Sequence, residues 1–414
     1  MCPLIYRATK CRLCSSNNLK RVLSLEPTPL ANAFVNSSQL HACQECFPLD
    51  LFFCNNCFHV QLLDIVDPKE LFENYVYVSG TSEKFVKHFK IYAESVVKYY
   101  NIMENDLVVE IGSNDGTFLS FFNDLGMKVL GIDPAKKVGR ISTSKGLETL
   151  TEFFSNKLAH EIKKNYGLAK VVTANNVFAH ADDLVDIVDG CRTLLEPDGL
   201  FIFEVQYLFD LYRNCYFDMI YHEHLSYHTV EPLRKFFSSN GMQIIDIKKI
   251  PTHGGSIRGV AQCQEGTRKV KSSVEEVIEE EKKQELFKAE TFLHFGEKIE
   301  KLKNELQKVL FTIKSKGMSI AGYGAPAKAT TLMYHFQLNK DMLDFIVDDS
   351  PLKQGLFTPG NHIPIFEVDY LYKKKPDYVL ILAWNFAESI IRTHMSYLKQ
   401  GGHFIIPLPK VAII

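Results

Sequence analysis

Past about residue 71 the apolar positions fall into short β-rich runs separated by stretches with helical character. VVEIG (108–112), VLGID (129–133), KVVTAN (170–175) and GLFIFEV (199–205) are the clearest of these runs. Such alternation predicts a mostly parallel sheet with helices on both faces. Residues 270–316 read differently, as one long charged helix or a helix pair. There Phe287, Phe295, Ile299, Leu302, Leu306, Leu310 and Ile313 recur mostly three or four positions apart, an apolar stripe that packs against a domain. After Gly317 the alternation resumes in MSIAGYG (318–324), DFIVDD (344–349), YVLILAW (378–384) and HFIIPLP (403–409), predicting a second unit of the same α/β class. Residues 1–70 belong to neither pattern and carry few helix signals.

Composition narrows the class. A chain of 414 residues suggests two or three domains. A net charge of −2 argues against a nucleic-acid partner, which usually selects a basic surplus. The start has no apolar run of signal length, and runs such as VLILAW (379–384) are too short to span a bilayer, so a cytoplasmic protein with no membrane partner is expected. Six of the ten cysteines form three C-x-x-C pairs within the first 57 residues, a pattern that reads as metal binding rather than disulfides. Cys11, Cys14, Cys54 and Cys57 can close a tetrahedral four-thiolate zinc site, which leaves no open position and is therefore structural. Cys43 and Cys46 form the third pair and keep the ligand set open on spacing alone.

The candidate cofactor loop is Glu110-Ile-Gly112-Ser-Asn114-Asp115-Gly116, a strand end followed by E-x-G-x-x-x-G. Its glycines let backbone approach a ligand at the carboxyl end of the strand. The next strand ends at Asp133-Pro134, where a carboxylate can accept from both ribose hydroxyls. The spacing is not that of a dinucleotide turn: Asn114 stands where the second glycine would be. Acidic Glu110 and Asp115 suit a cationic, phosphate-free cofactor, which S-adenosylmethionine is. Asn175, closing another strand, is expected over the same crevice.

Tyr221-His222-Glu223-His224 follows the GLFIFEVQYL segment and is expected in a loop above the sheet edge, where α/β proteins bind ligands. Imidazole titrates near neutrality and can serve as a general base. His180 should point into the same crevice. Tyr75 and Tyr77 are candidate lid residues, Tyr77 on the catalytic side and Tyr75 on the substrate side, and Ser82 is a candidate contact to the amino-acid end of the cofactor. In the second α/β unit, Tyr323, Ala325 and Lys328 surround a glycine turn where a diphosphate can rest on a helix N-terminus.

Taken in order, three blocks resemble the sugar C-methyltransferases of deoxysugar biosynthesis. The first holds Cys11-Arg-Leu-Cys14, Pro29-Leu-Ala-Asn-Ala-Phe34 and the segment from Phe53 to Leu62. The second holds Glu110–Gly116, Asn176-Val-Phe-Ala-His180, Tyr221–His224 and His253-Gly-Gly-Ser-Ile-Arg258. The third holds Gly322–Lys328, Asp348–Gly355 and Leu382-Ala-Trp-Asn385. The resemblance implies a zinc-binding N-terminal domain (1–70), a Rossmann-like methyltransferase core (71–256) and a second Rossmann-like domain (257–414) that helps hold a nucleotide-diphosphate keto-sugar. It places the zinc on Cys11, Cys14, Cys54 and Cys57, and His253 and Arg258 among the substrate contacts. It also implies methylation beside a ketone, typically at C3 of a 4-keto sugar. In that scheme His224 removes the C3 proton, Tyr221 and His180 donate to the enolate oxygen, and Glu223 orients a histidine or a sugar hydroxyl. The rival readings are an O-methyltransferase, a nicotinamide-dependent dehydrogenase, and a non-catalytic zinc and nucleotide-binding module.

Overall fold

The computed structural model describes residues 4–73, 79–81 and 83–414, apart from the side chains of Thr81 and His253. The four apolar runs of the middle region become Leu107–Ile111, Lys128–Ile132, Ala169–Asn175 and Leu195–Gln206. Leu107–Ile111 is buried at every position, as expected of a strand covered on both faces. It pairs in parallel with Lys128–Ile132 on one side and Ala169–Asn175 on the other. The chain therefore leaves Leu107–Ile111 in one direction, continues through Lys128–Ile132 to Thr149–Leu150, and returns to the opposite side. At such a reversal a crevice opens over the carboxyl ends of the two strands, and Glu110, Gly112 and Asn175 sit at its rim.

The same seven-stranded sheet ends in an antiparallel hairpin of Met242–Ile250 and Ser256–Cys263 beyond Leu195–Gln206. The stretch Ser256–Cys263 thus belongs to the middle sheet, although the expected C-terminal unit began at residue 257. Its apolar run does not distinguish the last strand of one sheet from the first of the next.

The N-terminal sheet is completed from elsewhere in the chain. Leu19–Thr28, Phe47–Cys54 and Val60–Leu62 pair antiparallel, and the fourth strand is Ser226–Tyr227, contributed by the middle region directly after Tyr221–His224. The candidate catalytic loop is consequently anchored to the cysteine-rich unit at its downstream end. Two residues are too short a strand to show a period.

The charged segment forms two helices, Ser272–Lys283 and Ala289–Ser315, separated by a turn in which Glu285 takes φ = 56°. The apolar stripe faces inward. Phe295, Ile299, Leu306, Leu310 and Ile313 are buried, and neighbouring Phe292 packs on Phe53 of the N-terminal sheet with ring centroids 5.8 Å apart. The last sheet then runs in the order Ile365–Phe366, Ile346–Val347, Ile320–Tyr323, Tyr378–Ile381, His403–Ile406, Ala412–Ile413, all parallel except the final pair. It is a second sheet with a reversal beside its first strand. One contiguous cluster of buried side chains runs from Leu51 through Val109 and Phe203 to Ile346, so the three sheets share a core. Among the described residues no helix is long and apolar enough to cross a membrane.

Candidate active site and zinc centre

The zinc centre is assembled by two turns. Cys11 and Cys14 approach Cys54 and Cys57 with Cys11 Sγ–Cys57 Sγ at 3.5 Å and Cys14 Sγ–Cys54 Sγ at 3.6 Å. All four sulfurs lie within 4.8 Å of one another. Four thiolates about 2.3 Å from a tetrahedral zinc would stand roughly 3.8 Å apart, so the donor set fits the ion. Cys43 and Cys46 are exposed and outside this group. Arg12, inside the first turn, carries the centre's position to the candidate catalytic loop. Its side chain is 3% exposed, and the guanidinium pairs with Asp182 at 2.9 Å and donates to Gln61 Oε1, Leu62 O and Leu225 O, each at 3.1 Å.

The cofactor crevice follows from three backbone decisions. Gly112 has φ = 71° and Gly116 φ = 76°. A Cβ at Gly112 would lie 2.2 Å from Val177 Cγ2, and one at Gly116 would lie 2.5 Å from Ser142 Oγ. Asn114, also left-handed at φ = 51°, donates its N–H to Asp133 Oδ2 at 2.9 Å, while Ala135 N–H reaches Asp133 Oδ1 at 2.8 Å. Burial raises the Asp133 carboxyl despite these two donors. Pro134 continues this turn. Asp115 is turned toward protein: Lys145 and Thr117 both donate to it, at 2.9 and 2.8 Å. Glu110 is buried and its pKa lies well above the usual carboxylate range, because desolvation outweighs a long 3.5 Å contact from Asn175 Nδ2. Among the described residues, Glu110 Oε2 and Asn175 Oδ1 are buried acceptors without a donor. A cofactor rich in donors, with an ammonium, ribose hydroxyls and a positive sulfonium, supplies what these groups lack, so S-adenosylmethionine fits the crevice.

The Tyr221–His224 loop packs on the segment that follows Asn175, through His180 and Ala179. His224 Nδ1 lies 2.8 Å from the Met219 carbonyl. A carbonyl only accepts, so Nδ1 carries the proton and Nε2 is the basic nitrogen. The ring packs between Tyr221 (centroids 4.1 Å) and His180 (4.9 Å), and His180 in turn meets Phe72 at 5.5 Å. The peptide N–H groups of Leu225 and Ser226 both donate to Ala179 O, which ties the His180 segment to the loop. The two imidazoles of the tetrapeptide have separate fates. His222 is buried against the N-terminal sheet, pairs with Phe47 O at 3.2 Å, and burial lowers its pKa to about 4. Glu223 accepts from Asn32 Nδ2 at 2.8 Å.

A polar cluster forms around Glu204, the sheet partner of Asn175; it joins Arg258, named from the sequence, to His88, Glu204 and Thr252, which sequence reasoning missed. Arg258 stacks on Tyr92 at 3.1 Å and donates through Nη2 to Glu204 at 2.8 Å, while His88 Nε2 (3.0 Å) and Thr252 Oγ1 (3.0 Å) hold the same carboxylate. Burial raises the Glu204 carboxyl, but these partners offset it and leave it below its ordinary value. Arg258, expected as a substrate contact, is thereby committed to a protein carboxylate. His88 and Glu204 are single polar residues in otherwise ordinary elements, with no motif to flag them. Tyr75, Tyr77 and Ser82 lie outside the described residues, as does the side chain of His253.

In the C-terminal unit a recess of about 380 Å³ opens at the strand ends, lined by Tyr323, Gly324, Asp348, Lys353 and Phe386 among others. Tyr323 hydroxyl contacts His394 Nε2 at 3.0 Å. The Ala325 N–H, expected for a diphosphate, is used by Asp348 Oδ2 at 2.6 Å. Lys328 is buried elsewhere, its Nζ 3.2 Å from the centre of the Trp384 ring.

Three family models match in tandem: "Putative zinc binding domain" over residues 11–72, "Methyltransferase domain" over 92–247, and "C-methyltransferase C-terminal domain" over 251–409. C-methyltransferase NovU of Streptomyces niveus is 34% identical over all of this chain and 99% of its own length. The chain belongs to the C-methyltransferase family. It is an S-adenosylmethionine-dependent enzyme, and its crevice and thiolate cluster are where that cofactor and zinc fit. A shorter match, 29% identical over 98 residues, is to a ubiquinone biosynthesis O-methyltransferase of Colwellia psychrerythraea; it covers 23% of this methyltransferase and 40% of that one. Among solved structures, magnesium protoporphyrin IX methyltransferase of Synechocystis with bound S-adenosylmethionine aligns at 17% identity and a TM-score of 0.33, over 43% of this chain and 81% of that one.

Proposed function

We propose that the methyltransferase acts on a nucleoside-diphosphate-linked 4-keto deoxysugar and methylates C3, with His224 as the general base. The observation that carries this reading is the 2.8 Å bond from His224 Nδ1 to Met219 O, which presents Nε2 as the basic atom beside Tyr221 and His180 at the cofactor crevice. A carbon needs a neighbouring carbonyl to become nucleophilic. His224 Nε2 takes the C3 proton, and the charge that develops on the C4 oxygen is met by donors from Tyr221 and His180, groups already oriented before the reaction. Glu223, held by Asn32, positions a substrate hydroxyl. Glu110, Gly112, Asp133 and Asn175 would hold S-adenosylmethionine, which would supply the electrophilic methyl group for the carbon so activated and leave as S-adenosylhomocysteine. The C-terminal recess, with Tyr323 and Lys353, takes the nucleotide end of the nucleotide-linked sugar, and the lid role of Tyr75 and Tyr77 belongs to the same reading. We read the enzyme as cytoplasmic, with a small-molecule substrate and no nucleic-acid or membrane partner.

The test is product analysis. The enzyme is incubated with methyl-labelled cofactor and a panel of thymidine- and guanosine-diphospho-4-keto-deoxyhexoses. Carbon NMR should show the label bonded to C3. A label on oxygen would replace this reading with the O-methyltransferase one, and no transfer to any keto-sugar would remove the substrate class.

A further inference from the structure

Lys328, Asp218 and Trp384 form a buried group that belongs to neither ligand site. Lys328 is the residue before the helix Ala329–His335 of the C-terminal unit, and its side chain is 8% exposed. Its Nζ stands over Trp384 and 3.8 Å from Asp218 Oδ2, too far for a hydrogen bond, and among the described residues it has no hydrogen-bond partner. Asp218 is fully buried and accepts from Trp384 Nε1 at 2.5 Å. Tyr216 also stacks on Trp384, centroids 4.1 Å apart. Burying both an ammonium and a carboxylate is expensive unless they face each other. Burial brings the Lys328 ammonium down to about 7 although Asp218 opposes the fall.

Asp218 is the neighbour of Met219, whose carbonyl sets the tautomer of His224. The following carbonyl, Ile220 O, accepts from Thr331 Oγ1 at 2.7 Å, one turn further along the same helix. Phe217, on the other side, packs against His335 and Phe336 with centroids 5.5 and 4.8 Å away. Thr330 Oγ1 also reaches Ala31 O at 3.2 Å, next to the Asn32 that holds Glu223. One short helix of the C-terminal unit therefore grips residues 217, 218 and 220 around the carbonyl on which His224 depends.

We infer that Lys328, Asp218 and Trp384 are positioning residues for the proton-transfer step: they lock the Phe217–Ile220 segment so that the Met219 carbonyl holds His224 in register. This rests on the proposed role of His224. A displacement near 1 Å at a reacting group can lower a rate by about 10²-fold, so loosening this grip should act on turnover rather than on cofactor affinity.

The test uses the full-length enzyme and the exchange of the substrate C3 proton in deuterated water, with thymidine-diphospho-4-keto-deoxyhexose as probe and S-adenosylhomocysteine present. Lys328→Met keeps the stem and removes the cation; Asp218→Asn keeps an acceptor for Trp384. Each should slow exchange by about ten- to a hundredfold while S-adenosylhomocysteine affinity stays within twofold. The double variant, with no charge left unpaired, should regain several-fold of the lost rate. A single variant that binds S-adenosylhomocysteine normally and exchanges at the wild-type rate overturns the inference. Should Lys328→Met fail to fold, Asp218→Asn decides the question by itself. Wild-type enzyme that exchanges nothing removes the proton-abstraction reading itself, and this inference with it.

Discussion

Gly112→Ala is the substitution whose consequence can be worked most fully from the geometry. The new Cβ would stand 2.2 Å from Val177 Cγ2, 3.5 Å from Val177 Cβ and 3.7 Å from Val177 Cγ1. Only the first of these is a clash, and it involves a single methyl group. Two penalties add. A non-glycine residue at φ = 71° loses about 1–2 kcal/mol, and overpacking a filled site costs about 1–3 kcal/mol. The sum is a destabilisation of about 2–5 kcal/mol by the same two rules. Val177→Ala removes Cγ1 and Cγ2 but leaves Cβ at ordinary contact distance. The pair Gly112→Ala/Val177→Ala should therefore lose less than the sum of the single variants, by about 1–3 kcal/mol, the overpacking share. Denaturant unfolding of the four proteins measures this coupling, and titration with S-adenosylhomocysteine should show affinity partly restored in the double variant. Because Val177 lies three residues before His180, turnover should follow affinity. If the two effects add within about 0.5 kcal/mol, the methyl contact is not what requires glycine at 112.

Three other expectations concern the frame around the site. Stripping zinc with a chelator should abolish activity together with thermal stability, since the thiolate turn holds Arg12 against Leu225; loss of metal with unchanged turnover would separate the two. His222, buried and lowered to about 4, resists protonation in the folded state while the unfolded chain accepts a proton near 6.5. The stability it contributes is therefore present above about pH 6.5 and lost as pH falls toward 4, by about 3 kcal/mol in all, and His222→Gln should flatten that part of the acid limb in urea titrations. Asn32→Ala releases Glu223 from its 2.8 Å partner and should raise the KM for the proposed keto-sugar substrate several-fold with little change in cofactor affinity; an unchanged KM would show that Glu223 needs no such support.

Much of this organisation is legible in the chain because each feature is local. The strand runs carry their own burial, the C-x-x-C turns carry their own spacing, and Glu110 to Gly116 is one strand end with the turn that follows it. What stays hidden depends on partners distant in sequence. Nothing in Tyr221-His222-Glu223-His224 says which imidazole meets the crevice; that is decided by Phe47 O on one side and Met219 O on the other. Asn32 meets Glu223 only after the N-terminal sheet recruits Ser226–Tyr227. Lys328 stands beside a glycine turn in sequence, the usual neighbourhood of a phosphate, yet it points at Trp384 because the helix it precedes is packed on the middle unit. His88 and Glu204 are brought together by a helix and a strand that share no pattern.

The proposed proton abstraction turns on one imidazole. His224→Asn should bind S-adenosylhomocysteine as the wild type does, because the groups proposed to hold that ligand, Glu110, Gly112, Asp133 and Asn175, lie on other segments of the chain. Exchange of the C3 proton of a nucleotide-linked 4-keto deoxysugar in deuterated water should nonetheless fall by about 10²–10⁴-fold. Exchange by this variant at the wild-type rate would contradict the assignment of His224 as the base.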